Sequence, residues 1–347
     1  MCLASSAHPR ALPPLRLCVS AVNALSRKGI ALLQFGGPDS PAAIRPFLRD
    51  LFDDPEILPY PALLRKPLAW TIAKFRAPMV AANYAKMGGA SPIGMWTETQ
   101  AGAIRRAMPD VQVEVAMRSW RPPIADAVAK LLSAGCDEIL ALPLYPQYSF
   151  TTTRSSMTEL LAQLRYQLKG RQITLRTIRN WPTHPGYVEA TCATVRRELA
   201  KFAAPPHVLF NAHGLPMKVV NKGDPYPSEI RDTVEACVRS LGLVDGRWSL
   251  SFQSRVGYLE WLRPYTEEEI PRLGAAGVRD LLVVPLAFVC DHFETLYEMR
   301  ILQADIAKTA GIERYVVAPA LNDEPAFLSA LVDLARRGFE SAPAERV

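Results

Sequence analysis

The chain is predicted to be an α/β protein: two similar doubly wound domains, each a four-stranded parallel sheet, facing a central cleft. Three observations lead there. Strand-like apolar runs alternate with amphipathic stretches, the two halves of the chain resemble each other, and the 347 residues are 49% hydrophobic and 21% charged. That composition belongs to a globular protein, and the length suits two domains of ordinary size. No apolar run reaches the roughly 18–20 residues a membrane-spanning helix needs.

The elements follow in chain order. Residues 1–28 are read as an extension, either disordered or targeting, with the disordered reading preferred. The first 38 residues contain Arg10, Arg16, Arg27 and Lys28 but no Asp or Glu. A first domain is expected over 29–178, with strands at 30–35, 111–117, 138–144 and 173–178. A second is expected over 179–320, with strands at 208–211, 249–252, 281–289 and 315–318. Helical periodicity fills stretches between them, as at 124–132, 157–168 and 187–202. Alternation of this kind implies parallel strands covered on both faces. A final helix is expected within 321–347.

The duplication supports the same architecture. "AGCDEILALPLYPQYSFTTT" (134–153) aligns without gaps to "AGVRDLLVVPLAFVCDHFET" (276–295) at an offset of 142, whereas "LLQFGG" and "LFNAHG" align at an offset of 177. The first half therefore carries an insertion between its first and third strands. The Pro-rich apolar segment within about 45–90 is its expected site, and such insertions beside strand ends form lids or lips.

In a doubly wound sheet of order 2-1-3-4, ligands bind beyond the carboxyl ends of strands one and three, where the order reverses. In the second half these strands run into "NAHGLP" and "CDHFET", which places His213 opposite Glu294. Were 291–300 an α-helix, Asp291, Glu294 and Glu298 would form one stripe with His292 beside it. Three adjacent carboxylates repel one another unless they face water, share protons or meet a cation. His213 is then a candidate base or metal ligand, with Glu294 as its partner. One His and one Glu do not close a permanent metal cage, and an open site of this kind suits an ion in transit.

Other classes are disfavoured. A formal charge of +6 and no Lys/Arg block with interleaved aromatics argue against nucleic acid. The Gly-rich stretches "LLQFGGPDS" and "KMGGASPIG" lack GxGxxG and GK[ST], which argues against a dinucleotide or ATP. Six scattered cysteines without CxxC suit a reducing compartment and give no zinc or iron–sulfur signature.

The ordered motifs "YAKMGGASPI", "LPLYPQYS", "NAHGLPMKVVNKGDPYP", "FQSRVG", "WLRP" and "PLAFVCDHFETLYE" resemble those of the ferrochelatases, which insert ferrous iron into a porphyrin. The resemblance spans about 29–338. It implies two chelatase-type (Rossmann-like) domains around a porphyrin cleft with an apolar lip, and a last helix packed back on the first domain. It implies His213 and Glu294 as catalytic and metal-contacting residues, with Asp291, His292 and Glu298 as an acidic conduit. Phe35, Arg76, Tyr84, Ser91, Arg118, Tyr145, Trp261 and Phe288 match porphyrin-pocket positions. Ser119 departs from the tyrosine common in the family and leaves one edge contact in doubt. Animal members hold a [2Fe–2S] cluster through cysteines, one at the position of Phe150. No cysteine follows Cys290 here, so no cluster and no tightly bound cofactor are expected, with Fe²⁺ as substrate.

Phe35 and the long lip favour protoporphyrin IX over the alternative, coproporphyrin III. A non-catalytic tetrapyrrole- or metal-binding module is the other rival, and it would have no need of His213 facing Glu294. A cytoplasmic location is expected. The exposed-looking apolar lip with Arg65, Lys66 and Lys74 leaves room for peripheral membrane attachment and for handover from the preceding porphyrin-synthesis enzyme.

Overall fold

A computed structural model describes residues 26–347. The first sheet contains β1 (Lys28–Gln34), β2 (Gln112–Met117), β3 (Glu138–Pro143), β4 (Thr174–Thr177) and β9 (Ala344–Arg346), in the order β2-β1-β3-β4-β9. The second contains β5 (His207–His213), β6 (Trp248–Gln253), β7 (Asp280–Pro285) and β8 (Arg314–Val317), in the order β6-β5-β7-β8. All pairings in the second sheet are parallel, as are those among β1 to β4. Both domains thus adopt the expected 2-1-3-4 winding.

β1 shows why these runs become central strands. Ile30 and Leu32 point into one core with Leu140, Leu142, Phe327 and Leu331, while Ala31 and Leu33 point into another with Leu131, Ile139 and Leu160. Side chains alternate across a strand, so a strand buried on both faces must be apolar at every position. The second sheet repeats this: Val208 and Phe210 enter one core, Leu209 the other. The helix Pro325–Ser341 supplies Phe327, Leu331 and Leu334 to the first sheet's core.

Two expectations need correction. The first sheet has five strands rather than four, because the chain end returns as β9, antiparallel to β4 with Leu175 opposite Glu345. β9 is three fully exposed residues with no apolar alternation, so only its position beside an open edge makes it a strand. The acidic segment is also not an α-helix from 291. It is a π-helix over Glu294–Leu302, which passes directly into the helix Gln303–Thr309.

The insertion contains the helices Ile44–Phe52 and Ala62–Ala85. Pro67 and Pro78 lie inside the second of these without dividing it. Each proline withholds one N–H from the carbonyl four residues earlier, at Leu63 and Lys74. Both of those residues are exposed, so water can replace the missing donor.

The two domains are tied beside the cleft. Asp224 accepts from Ser149 Oγ (2.9 Å) and from the Phe150 backbone N–H (2.8 Å), and Glu229 accepts from the Tyr148 N–H (2.7 Å). Gln147 donates to Thr233 Oγ1 at 2.8 Å. The loop after β3 is thereby held against the second domain.

Candidate active site at the switch point

β5 ends on His213, and Gly214 follows. A Cβ at Gly214 would sit 2.9 Å from the Gln253 carbonyl oxygen and 3.3 Å from the Trp261 ring. Only glycine allows the chain to turn this close to β6, which leaves the imidazole at the sheet's carboxyl edge. Its Nδ1 lies 2.8 Å from Glu294 Oε2, across 81 residues of sequence. The same oxygen accepts from Gln253 Nε2 (3.2 Å) and Ser254 Oγ (3.2 Å). Ser254 Oγ also lies 2.5 Å from Glu298 Oε2, so one hydroxyl touches both carboxylates of the π-helix. His292 Nε2 is 3.8 Å from Glu294 Oε1. Tyr226 OH donates to the His213 carbonyl at 3.0 Å and steadies the strand end.

The charges are strongly coupled. Burial pulls the His213 pKa down, but the Glu294 charge and hydrogen bond, with Glu298 adding, leave it raised above the ordinary 6.5. Burial pushes the Glu294 carboxyl up, yet His213 and His292 hold it well below the usual carboxylate range. Glu298 is pushed up to about 7, first by burial and then by the Glu294 charge. The cluster therefore holds one firmly ionised carboxylate, a histidine that keeps its proton more tightly than usual, and a second carboxyl pushed up to about 7.

Trp261 stands edge-on to the His213 ring with centroids 6.3 Å apart, and Phe288 lies against His292 at 4.8 Å. Tyr84, from the insertion, stacks on Phe293 at 4.8 Å. Burial, and then the Glu294 charge, raise its hydroxyl pKa. Phe35 packs in the same aromatic and apolar cluster. Of these, Trp261 borders His213 itself, Phe288 borders its neighbour His292, and Tyr84 and Phe35 share a cluster with Phe293, the residue before Glu294.

Arg118 and Tyr145 sit in a separate network. Arg118 pairs with the buried Asp54 at 2.9 Å and donates to Ser155 Oγ at 2.7 Å, while Tyr145 OH meets Ser156 Oγ at 3.3 Å. Ser91 is buried against Gly37, and Arg76 lies over the Phe52 ring at 5.6 Å. Asp291 stands apart from the other acids. It precedes the π-helix, and its carboxylate is taken up by Thr295 Oγ1 (2.8 Å) and Asn322 Nδ2 (2.9 Å). The expected single stripe is therefore a Glu294–Glu298 pair joined by Ser254.

Gln253 and Ser254 were not anticipated. Their signal was the strand order itself: strand two lies beside strand one, and Gln253 is in register with His213. Ser254 also has a positive φ of 65°, a backbone conformation that non-glycine residues adopt only where the surroundings impose it.

Among the described residues, no group of three or more His, Cys, Asp or Glu side chains is arranged to hold a metal ion. His213 Nε2 and Glu294 Oε1 have no hydrogen-bond partner among the described residues and remain available as metal donors. They can meet a cation arriving at the cleft without enclosing it.

Comparison with known proteins bears directly on this geometry. A family model described as Ferrochelatase matches residues 27–338. A ferrochelatase from Synechocystis is 42% identical over 328 residues, covering 92% of this chain and 84% of the relative. One from a Synechococcus strain is 44% identical over 330 residues, covering 92% of this chain and 96% of the relative. Among solved structures, a multi-domain protein from Deinococcus radiodurans, described as structurally similar to chelatases, superposes with a TM-score of 0.50. It is 13% identical, with 92% of this chain and 57% of that one covered, and the likeness concerns the fold alone. With a family match over most of its length and relatives above 40% identity, the chain belongs to the ferrochelatase family.

Proposed function

We propose that this ferrochelatase takes protoporphyrin IX as its porphyrin, with His213 and Glu294 carrying the insertion step. Iron insertion into a porphyrin for haem synthesis is the activity of the family; the choice of porphyrin and the residue roles are our reading. The observation that carries the roles is the 2.8 Å contact between His213 and Glu294, with Glu298 joined to Glu294 through Ser254.

Insertion requires two pyrrole protons to leave as Fe²⁺ enters. His213 Nε2, when neutral, accepts one ring proton, with the Glu294 carboxylate stabilising the imidazolium that forms, and the second proton goes to ionised Glu298. Ser254 links Glu294 to Glu298, a carboxyl whose pKa near 7 suits it to store and pass on a proton. Trp261, Phe288, Tyr84 and Phe35 supply apolar walls. A wall set complementary to a bent macrocycle stabilises the form whose nitrogens are exposed. No resident cofactor has a part in this scheme.

The lip also supports attachment to an anionic membrane surface, from which an apolar porphyrin would be drawn. The helix Ala62–Ala85 contains Arg65, Lys66, Lys74 and Arg76 but no Asp or Glu, and Leu63 (87%), Leu64 (61%), Trp70 (50%) and Phe75 (74%) are exposed. Bare apolar side chains among cations are the composition of an interfacial helix. No described helix is long and apolar enough to cross a membrane, so attachment would be peripheral.

Anaerobic Fe²⁺ insertion with protoporphyrin IX and coproporphyrin III side by side tests the substrate. A kcat/KM at least tenfold higher for protoporphyrin IX is expected. Preference for coproporphyrin III would overturn the reading.

A further inference from the structure

The site carboxylate is anchored from inside the second domain by a line of buried amides. Asn211 Nδ2 donates to Gln303 Oε1 (3.0 Å), Gln303 Nε2 to Gln253 Oε1 (2.8 Å), and Gln253 Nε2 to Glu294 Oε2 (3.2 Å). Tyr315 OH, on β8, lies 3.3 Å from Gln303 Oε1. The three amide residues come from β5, from β6 and from the first position of the helix that follows the π-helix. Their exposures are 0% for Asn211 and 4% for each glutamine.

An amide can be turned either way, and here the anion decides. An ionised Glu294 has no proton to donate, so Gln253 must present its NH₂ group to it. That commits the Gln253 carbonyl to Gln303, whose own carbonyl is then committed to Asn211. Each link donates in the direction of Glu294, and in a low-dielectric interior each link polarises the next. Buried amides cost more to desolvate than leucines would in the same space, so filling volume does not explain them.

The outcome is an asymmetric carboxylate. Oε2 receives His213, Gln253 and Ser254, whereas among the described residues Oε1 has only His292 Nε2, at 3.8 Å. We propose that Asn211, Gln303 and Gln253 form a polarised amide line that orients Glu294, saturating Oε2 and presenting Oε1 to the incoming ferrous ion. Asn211 and Gln303 are positioning residues, acting on Glu294 through Gln253. The proposal rests on the reading of this site as the place of iron insertion.

Gln303→Met tests it, because it removes the donor and acceptor at nearly constant volume and frees Gln253 to turn. Steady-state insertion is measured with iron and porphyrin varied separately. A charge-directed hydrogen bond lost through one intermediary is expected to lower kcat/KM for Fe²⁺ about tenfold, mainly through KM for iron. The porphyrin KM, and porphyrin affinity by fluorescence, should stay as in wild type. Gln253→Met should do the same, and the double variant should be no worse than Gln253→Met alone, since the line acts through that residue. Tyr315→Phe, which deletes a hydroxyl that donates to the Met299 carbonyl (2.8 Å) and lies 3.3 Å from Gln303 Oε1, keeps the test available if Gln303→Met does not fold, with a loss of about threefold expected. The proposal is overturned if the iron kcat/KM of the folded variant stays within a factor of 1.5 of wild type, roughly the assay's own scatter for such ratios. Iron and porphyrin parameters declining together, or multiplicative effects in the double variant, would also overturn it. Turnover by the wild type in the same assay separately tests the iron-insertion reading.

Discussion

Replacing Glu294 by Gln separates charge from shape at the centre of the site. The amide has nearly the same volume, and its oxygen can take the place of Oε2, where His213, Gln253 and Ser254 all donate within 3.2 Å. What disappears is the negative charge. In the wild type that charge and its hydrogen bond are the two leading influences raising His213, set against burial, which lowers it. Without them burial dominates, and the His213 pKa should fall below its ordinary 6.5. Glu298 loses the neighbouring charge that helps raise it to about 7, so it too should move down. The acid limb of the rate profile, set by the need for a neutral His213 to accept a proton, should therefore move to lower pH than in wild type. The plateau rate should fall about 10²-fold or more, since the imidazolium formed on proton transfer has lost its counter-ion. The assay is anaerobic insertion between pH 5.5 and 9, followed by loss of porphyrin fluorescence. An acid limb left in place, or a plateau within about threefold of wild type, a change too small for loss of a transition-state charge partner, would refute the reasoning.

Other outcomes follow from the same geometry. His213→Ala should lower kcat about 10²–10⁴-fold while porphyrin still binds, as titration of porphyrin fluorescence would record; near-normal turnover would remove the residue from the mechanism. Arg118→Met should cost about 3 kcal/mol in chemical denaturation, because Asp54, which is 0% exposed, would be left buried without its counter-ion. A variant combining Leu63→Ser, Leu64→Ser and Trp70→Ser should float with anionic liposomes less than wild type and keep its kcat on detergent-solubilised porphyrin; equal flotation would confine the lip to covering the cleft. Gly214→Ala should destabilise the β5–β6 edge, since the new Cβ would stand 2.9 Å from a backbone oxygen, and a melting temperature equal to wild type would contradict that close approach.

Much of this molecule was legible in the sequence because it depends on local pattern. A strand buried on both faces must be apolar throughout, so runs such as "IALL" and "LLVVP" mark β1 and β7 without any partner in view. The repeated strand grammar carries the winding order, and the winding order brings His213 to Glu294 across 81 residues. The run of carboxylates after β7 and the basic, apolar character of the lip could be read the same way, because charge and hydrophobicity belong to the residues themselves. What only the tertiary structure decided depends on neighbours that no local pattern specifies. β9 exists because an open edge of β4 stands beside the chain end. Arg118 meets Asp54 through Nη2 and Ser155 through Nε, partners 64 and 37 residues away that no local pattern names. Asp291 carries the same charge as Glu294, yet Asn322 and Thr295 draw it out of the line. The roles of Gln253, Ser254 and Gln303 follow from hydrogen-bond direction, and direction is set by the Glu294 anion, one link from Gln253 and Ser254 and two from Gln303 in a folded interior.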